Sequence, residues 1–271
     1  MDEQSQAAWQ PLLANLGPTE HAVQLYQDDD FFGDAVSHFT AHGLWKNESI
    51  IIVATQAHWQ NIAGRLSIKG FDVEELRRAG QLTLLDADET LPKFLVNNMP
   101  DGNTFKGIAH NTIERARRNG RYANVRWWGE MVNVLYVNGN GQASTRLEEL
   151  FDEVAHEESI AIFCSFLMDK FDRKVYDGPL QNVCRTHAHL IPSENYSRHK
   201  ECVNRALMEA FRGMESQLFR WLGTAKRWLG PEMPASQALL LWLIESKPQL
   251  AERVLSLANH YENTLRQTES A

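Results

Sequence analysis

Hydrophobic and polar residues follow one pattern from about residue 20 to residue 190, where short β-branched runs alternate with longer amphipathic stretches. This alternation is typical of strands that feed helices in a mainly parallel sheet. The runs that predict strands are 22–26, 49–54, 81–85, 123–127 and 159–165. The stretches that predict helices are 31–42, 56–69 and 104–119, each followed by a glycine suited to a left-handed C-cap: Gly43, Gly70 and Gly120. The pattern therefore predicts an α/β domain.

The pattern changes after Pro192, because residues 196–271 contain no convincing strand and carry apolar residues at helical spacing. One apolar stripe consists of Val203, Leu207, Ala210, Phe211, Met214, Leu218, Trp221 and Leu222. A Gly/Pro-rich breaker at 230–234 separates this stripe from a helical stretch at 236–246 and another past Pro248. The sequence therefore predicts an α/β domain over 18–192 and a C-terminal module of about three helices over 196–271.

Charge and cysteine content narrow the class of protein. Lys and Arg total 27 against 35 Asp and Glu, and the net charge of −8 argues against nucleic-acid binding through bulk electrostatics. The three cysteines are an odd number, and the chain opens without a basic and apolar leader, which favours a reducing cytoplasm. No window approaches 18 consecutive apolar residues, so we expect a cytoplasmic protein that does not enter the membrane.

The segment 25–34 occupies the place between a strand and a helix where a RecA-like ATPase carries its phosphate loop. It lacks the glycines and the lysine that such a loop needs, and Asp28, Asp29 and Asp30 would repel phosphate. The acidic residue that such an ATPase places after its second strand is also absent, since Gln56 stands there. We therefore expect the aspartates to cap the following helix, with ATP hydrolysis as the less favoured alternative.

Two further motifs carry polar side chains. Glu130 follows a predicted strand and so lies at the carboxyl edge of the sheet, where parallel α/β sheets bind ligands; alternatively, it caps or pairs with the helix that it opens. Cys184, His187 and His189 lie within six residues and could hold zinc, although the only candidates for a fourth ligand, His21 and Glu130, are remote in sequence. Packing or hydrogen bonding is the favoured interpretation of this motif, and we expect no tightly bound structural zinc there.

These motifs occur in an order that resembles the MEDS domain, the methanogen/methylotroph sensory domain named after a dichloromethane-responsive regulator. The resemblance covers roughly residues 18–192. Its blocks, in chain order, are HAVQLY at 21–26, GL at 43–44, IIVAT at 51–55, GQLTLLDADETL at 80–91, RWWGEMV at 126–132, GN at 139–140, RLEEL at 146–150 and CRTHAH at 184–189.

The resemblance implies a cytoplasmic sensory module related to RecA-like domains of the KaiC type, with a three-layer, mainly parallel sheet that has lost its phosphate loop. Members of the family are thought to sense small organic molecules. This chain lacks the helix-turn-helix of the DNA-binding members and a histidine-kinase block such as HELRN. The module at 196–271 must therefore supply the output, by self-association or by docking another protein.

The leading hypothesis is a non-enzymatic sensor or adaptor that needs no cofactor or metal. It would bind a small organic ligand at the carboxyl edge of the sheet and signal to a protein partner through the C-terminal module. The candidate ligand-binding residues are His21, Tyr26, Arg126, Glu130, Glu148, His187 and His189. The alternatives are an ATP-binding RecA-like enzyme and a transcriptional regulator with a helix-turn-helix at 234–263. The apolar stripe favours a second chain as its partner, which includes a homodimer.

Overall fold

The computed structural model describes residues 9–118, 120–168, 189–191, 196–229 and 235–269. The chain divides into two compact units, one of Met1–Met168 with Asn182–Glu194 and one of Asp169–Gln181 with Asn195–Ala271. None of the described helices is long and apolar enough to cross a membrane.

The first unit contains a sheet of six parallel strands. They are β1 (His21–Tyr26), β2 (Ser49–Ala54), β3 (Leu82–Asp86), β6 (Val125–Gly129), β7 (Ala161–Leu167) and β8 (His189–Ile191). Their spatial order is β3-β2-β6-β7-β1-β8. A separate antiparallel hairpin joins β4 (Leu95–Val96) to β5 (Met99–Pro100) through Asn97 and Asn98, both at positive φ as a type I′ turn requires.

The five strands predicted from apolar runs are confirmed with shifts of two residues or fewer. Every residue of β1, β2 and β6 is buried, as expected for parallel strands covered on both faces. Strand β3 is mostly half-buried, because it forms one edge of the sheet. The short β8 is an addition, since the sequence predicts no strand around His189.

Helices cover both faces and give a three-layer α/β arrangement. The helices of this unit are α1 (Trp9–Ala14), α2 (Asp29–Trp45), α3 (Gln56–Ile68), α4 (Val73–Ala79), α5 (Ala87–Thr90), α6 (Gly102–Arg117), α7 (Met131–Val137) and α8 (Gly141–Glu158). Residues of α1, α2 and α3 pack with Tyr26 and Trp128 in one hydrophobic cluster. On the other face, Trp127 of β6 packs edge-to-face on Phe151 of α8, with ring centroids 5.8 Å apart. The two neighbouring tryptophans thus point to opposite faces of the sheet.

The prediction that Gly43 ends its helix is wrong. Helix α2 continues through this buried glycine to Trp45. A Cβ at position 43 would lie 2.6 Å from Ile50 Cδ1 and 2.7 Å from Arg126 Cδ. The glycine is required because α2 closely approaches the sheet, whereas Gly70 and Gly120 do adopt the left-handed conformation expected after a helix.

Four helices form the described part of the second unit: α9 (Tyr196–Ala210), α10 (Glu215–Leu229), α11 (Ala235–Ser246) and α12 (Pro248–Glu269). The predicted apolar stripe is divided between α9 and α10, because the chain turns at 211–213 with Gly213 at a φ of 81°. Helix α9 packs on α11 and α12, and α10 packs on α11. Most of the stripe is therefore buried by helices of the same chain.

Candidate functional site

Polar side chains lie at the carboxyl ends of four neighbouring strands of the first unit. Tyr26 ends β1, Thr55 follows β2, Glu130 follows β6, and Leu167 ends β7. Because parallel strands end at the same edge of a sheet, these residues from distant parts of the sequence come together. The prediction that Glu130 lies just past a strand is confirmed.

Glu130 is buried, and both of its carboxylate oxygens accept hydrogen bonds. The backbone N–H of Thr55 donates to Oε1 at 2.5 Å, and the Thr55 hydroxyl donates to the same oxygen at 2.9 Å. His58 Nδ1 lies 2.5 Å from Oε2. Although Glu130 precedes α7, its side chain makes no capping bond to that helix. Its carboxylate instead connects the ends of β2 and β6.

His58 is the residue of this site that the sequence analysis missed. It lies in the first turn of α3, and its side chain is 24% exposed beside the buried Glu130. The hydrogen bond to Glu130 raises the pKa of His58. With Nδ1 bonded to the carboxylate, Nε2 is the ring nitrogen left to meet a ligand. Its position could have indicated its role. His58 closely follows the predicted strand at 49–54, and in the structure this strand neighbours the strand that precedes Glu130.

Aromatic rings form the apolar side of the same edge. The Phe32 ring of α2 lies 4.7 Å from the ring of Tyr26 and 4.4 Å from that of His58, between centroids. It also lies 5.5 Å from Trp128. Phe32 therefore connects the predicted residue Tyr26 with the unpredicted His58.

The Tyr26 hydroxyl is the second polar group at this edge. Asn133 Nδ2 lies 3.5 Å from it, and Asn133 Oδ1 accepts a 2.9 Å bond from the backbone of Leu167. Burial, and then the charge of Glu130, raise the pKa of Tyr26. Tyr26 is thus a neutral hydroxyl near a carboxylate.

The loop between β1 and α2 consists of two residues, Gln27 and Asp28. The Asp28 carboxylate accepts hydrogen bonds from the backbone N–H groups of Asp30 at 2.6 Å and Phe31 at 3.3 Å. The expected capping role is therefore confirmed for Asp28, whereas Asp29 and Asp30 lie in the first turn of α2. A carboxylate of the protein occupies the helix N-terminus to which a phosphate would bind.

Two other predicted residues, His21 and Glu148, meet in a second cluster that also contains Cys164. His21 Nε2 lies 3.4 Å from Glu148 Oε2 and 3.3 Å from Cys164 Sγ. All three side chains are buried, and burial raises the pKa of the Cys164 thiol well above its ordinary value. Because His21 begins β1 and Tyr26 ends it, this cluster is separate from the Glu130 site.

Arg126 lies near the start of β6, away from the carboxyl edge. Its guanidinium donates to the backbone carbonyls of Leu13 at 2.7 Å and Ala14 at 3.0 Å, and pairs with the Glu48 carboxylate. It also lies 5.0 Å from the centre of the Phe39 ring. The structure thus places Arg126 where it attaches α1 to the sheet.

The last two predicted residues come from the motif at 184–189. His189 lies in β8 opposite Ala22 of β1, and its Nε2 is 3.4 Å from a Glu20 carboxylate oxygen. His187 lies outside the described residues, as does Cys184. The structure therefore brings the predicted residues together in two pairs, Tyr26 with Glu130 and His21 with Glu148.

A family model described as "MEthanogen/methylotroph, DcmR Sensory domain" (MEDS) matches residues 20–188. The chain belongs to the MEDS family. The resemblance inferred from the sequence motifs is thereby confirmed, and the chain carries a sensory domain. The MEDS match includes both the Glu130 site and the cluster of His21, Glu148 and Cys164. Among curated proteins, none matches the chain.

Proposed function

We propose that this MEDS protein is a non-enzymatic signalling sensor that binds a small organic molecule around Glu130 and relays binding to a protein partner. The observation that carries the proposal is the buried Glu130 carboxylate, which is fixed by Thr55 and His58 at the carboxyl edge of the sheet. A ligand site of this kind combines apolar surface with a few oriented polar groups. The buried rings of Phe32 and Tyr26 form the apolar side of this site.

The polar groups suit recognition by hydrogen bonds. The carboxylate orients the His58 ring, so that Nε2 faces away from Glu130 as an acceptor when neutral and as a donor when protonated. The Tyr26 hydroxyl adds a donor and an acceptor. Burial is the largest cause of the raised pKa of Tyr26, and the negative charges of Glu130 and Asp29 add to it. A site with these two carboxylates fits a small molecule with one or two polar atoms better than a polyanion.

We propose no ATP chemistry for this domain, because the segment between β1 and α2 lacks the features of a phosphate loop. A phosphate loop of the pattern GxxxxGK[ST] supplies glycine amides and a lysine, whereas the two residues that connect β1 to α2, Gln27 and Asp28, supply neither. Asp28 also takes the first amide groups of α2. We propose that the domain is a RecA-like fold whose nucleotide site has been replaced by the Glu130 site.

The C-terminal helices are the proposed output. Phe219 on α10 is 69% exposed, and Met208 and Met214 are also exposed, so apolar side chains are available to a protein partner or a second copy of the chain. DNA is a less suitable partner, because a helix-turn-helix joins its helices by three or four residues and α11 is joined to α12 by Lys247 alone.

Native mass spectrometry of the protein purified from its own host tests the ligand proposal. We expect the wild-type chain to retain a small organic molecule and Glu130→Gln to lose it, because the neutral amide cannot accept the His58 bond with the same geometry. Glu262→Gln is the matched control, since Glu262 is a buried glutamate of the other unit. Retention of the same molecule by Glu130→Gln would contradict the site.

The same native mass spectra test whether the C-terminal helices bind a protein partner or a second copy of the chain. Phe219→Ser removes an exposed apolar side chain and should reduce the mass assigned to a partner or to a dimer, while the small molecule stays bound. Ile68→Ser is the matched control, since Ile68 is an exposed apolar residue of the first unit. Wild-type protein that is strictly monomeric and free of any protein partner would contradict the relay.

A further inference from the structure

The cluster of His21, Glu148 and Cys164 plays no part in the proposed ligand site. It brings an imidazole nitrogen, a carboxylate oxygen and a thiol sulfur within 4.8 Å of one another in the interior of the first unit. In the part of the chain that the structure describes, no other set of three or more His, Cys, Asp or Glu side chains converges in this way. These three atom types are the ligands that zinc takes in proteins.

Two of the three distances between the candidate ligand atoms agree with a shared metal ion. Zinc lies about 2.0–2.2 Å from nitrogen and oxygen ligands and about 2.3 Å from thiolate sulfur. In a tetrahedron these bond lengths place neighbouring nitrogen and oxygen ligands about 3.4 Å apart, and nitrogen and sulfur about 3.6 Å apart. The observed distances from His21 Nε2 are 3.4 Å to Glu148 Oε2 and 3.3 Å to Cys164 Sγ.

The three groups also meet one another directly. One nitrogen of His21 faces both the carboxylate of Glu148 and the sulfur of Cys164, and the Cys164 thiol is hydrogen-bonded to Glu148. A divalent ion between the three atoms would take the place of the hydrogens that these groups share, and buried charged groups are typically paired or coordinated to metals.

We propose that His21, Glu148 and Cys164 form a zinc site that joins β1, β7 and α8 in the first unit. The site differs from the motif of Cys184, His187 and His189, for which the sequence predicts no zinc. Zinc binding requires the thiolate, so the metal must displace the proton of the Cys164 thiol.

Cobalt titration of the full-length, chelator-stripped protein tests the site, because thiolate-bound Co²⁺ has a near-ultraviolet charge-transfer band. We expect the band to saturate at one equivalent and to disappear when Zn²⁺ is added. Cys164→Ser should abolish the band, and Cys202→Ser, at a buried cysteine of the other unit, should retain it. Glu148→Gln should weaken Zn²⁺ binding at least about 100-fold, because even loss of a group behind a ligand costs about 10–100-fold.

Circular dichroism shows which variants remain folded. If Cys164→Ser does not fold, X-ray absorption of the wild-type zinc complex decides the question, and we expect one sulfur neighbour with the remaining neighbours being nitrogen or oxygen. The proposal is overturned if the wild-type protein shows no cobalt band at one equivalent. It is also overturned if the band survives Cys164→Ser and is lost in Cys184→Ser, since the metal would then belong to the motif of Cys184, His187 and His189.

Discussion

Two buried glutamates of the first unit each face a histidine, and the two pairs differ in their surroundings. Glu130 lies 2.5 Å from His58 at the carboxyl edge, where the histidine is partly exposed. Glu148 lies 3.4 Å from His21 in the interior, where both side chains are buried beside Cys164. The same two residue types thus form one pair with access to solvent and another without it.

The comparison shows that the third group decides what such a pair can do. Beside Glu130, the amide and hydroxyl of Thr55 donate to the carboxylate, which leaves the outer ring nitrogen of His58 for a ligand. Beside Glu148, the third group is a thiol that faces the same imidazole nitrogen. The first arrangement favours hydrogen bonding to a small molecule, and the second favours a metal ion.

Removal of the metal should have the largest effect on stability, and this effect should depend on the Glu148 pair and not on the Glu130 pair. With free Zn²⁺ at 1,000 times its dissociation constant, binding stabilises the fold by about 4 kcal/mol. At about 2–4 °C per kcal/mol, a chelator should then lower the Tm of the zinc-loaded protein on the order of 10 °C. We expect Glu130→Gln to show the same decrease and Glu148→Gln to show none, as measured by differential scanning calorimetry. Equal decreases in both variants would remove the distinction between the pairs.

The amide substitution at Glu130 should have an intermediate effect on stability. Glu130→Gln retains an acceptor for the two Thr55 donors but weakens charge-assisted hydrogen bonds, which contribute about 1.5–3 kcal/mol each. We expect the free energy of unfolding to decrease by about 2 kcal/mol, as measured by urea denaturation. Thr55→Val tests whether hydrogen bonds to the carboxylate explain this loss, because it deletes only the hydroxyl donor. We expect it to lower the free energy of unfolding by about 1 kcal/mol. A larger loss in Thr55→Val than in Glu130→Gln would show that the carboxylate is not the centre of the network.

The strands and the edge position of Glu130 were predictable because they depend on local signals. Apolar runs mark buried strands, and the residue after such a run lies at the carboxyl edge whatever the tertiary details are. By the same reasoning Tyr26, the last residue of a predicted strand, was expected at the carboxyl edge. The capping by Asp28 is local too, since its acceptors are bonded by amides two and three residues away.

The partners of these residues were not predictable, because they come from distant parts of the chain. His58 is 72 residues from Glu130, and His21 is 143 residues from Cys164. Within its strand, Cys164 reads as one more core residue. Arg126 was assigned to the ligand site because it is close to Glu130 in sequence, but the two lie toward opposite ends of a strand.

The pH dependence of stability should give the smallest effect and the sharpest test of the Glu130 pair. The pKa of His58 is raised by its bond to Glu130, so protonation stabilises the folded state relative to the unfolded chain, in which a histidine has a pKa of about 6.5. This contribution is fully present below about pH 6.5 and is lost as the pH rises through the folded-state pKa. His38 provides the opposite case, because burial lowers its pKa to about 4, and its contribution is lost as the pH falls from about 6.5 toward 4.

Urea denaturation of wild type, His58→Gln and His38→Gln from pH 4 to pH 9 measures both contributions. We expect the difference in the free energy of unfolding between wild type and His58→Gln to become smaller as the pH rises above 6.5. The corresponding difference between wild type and His38→Gln should become smaller as the pH falls below 6.5. If the difference between wild type and His58→Gln is constant from pH 5 to pH 9, His58 does not form a charge-dependent pair with Glu130.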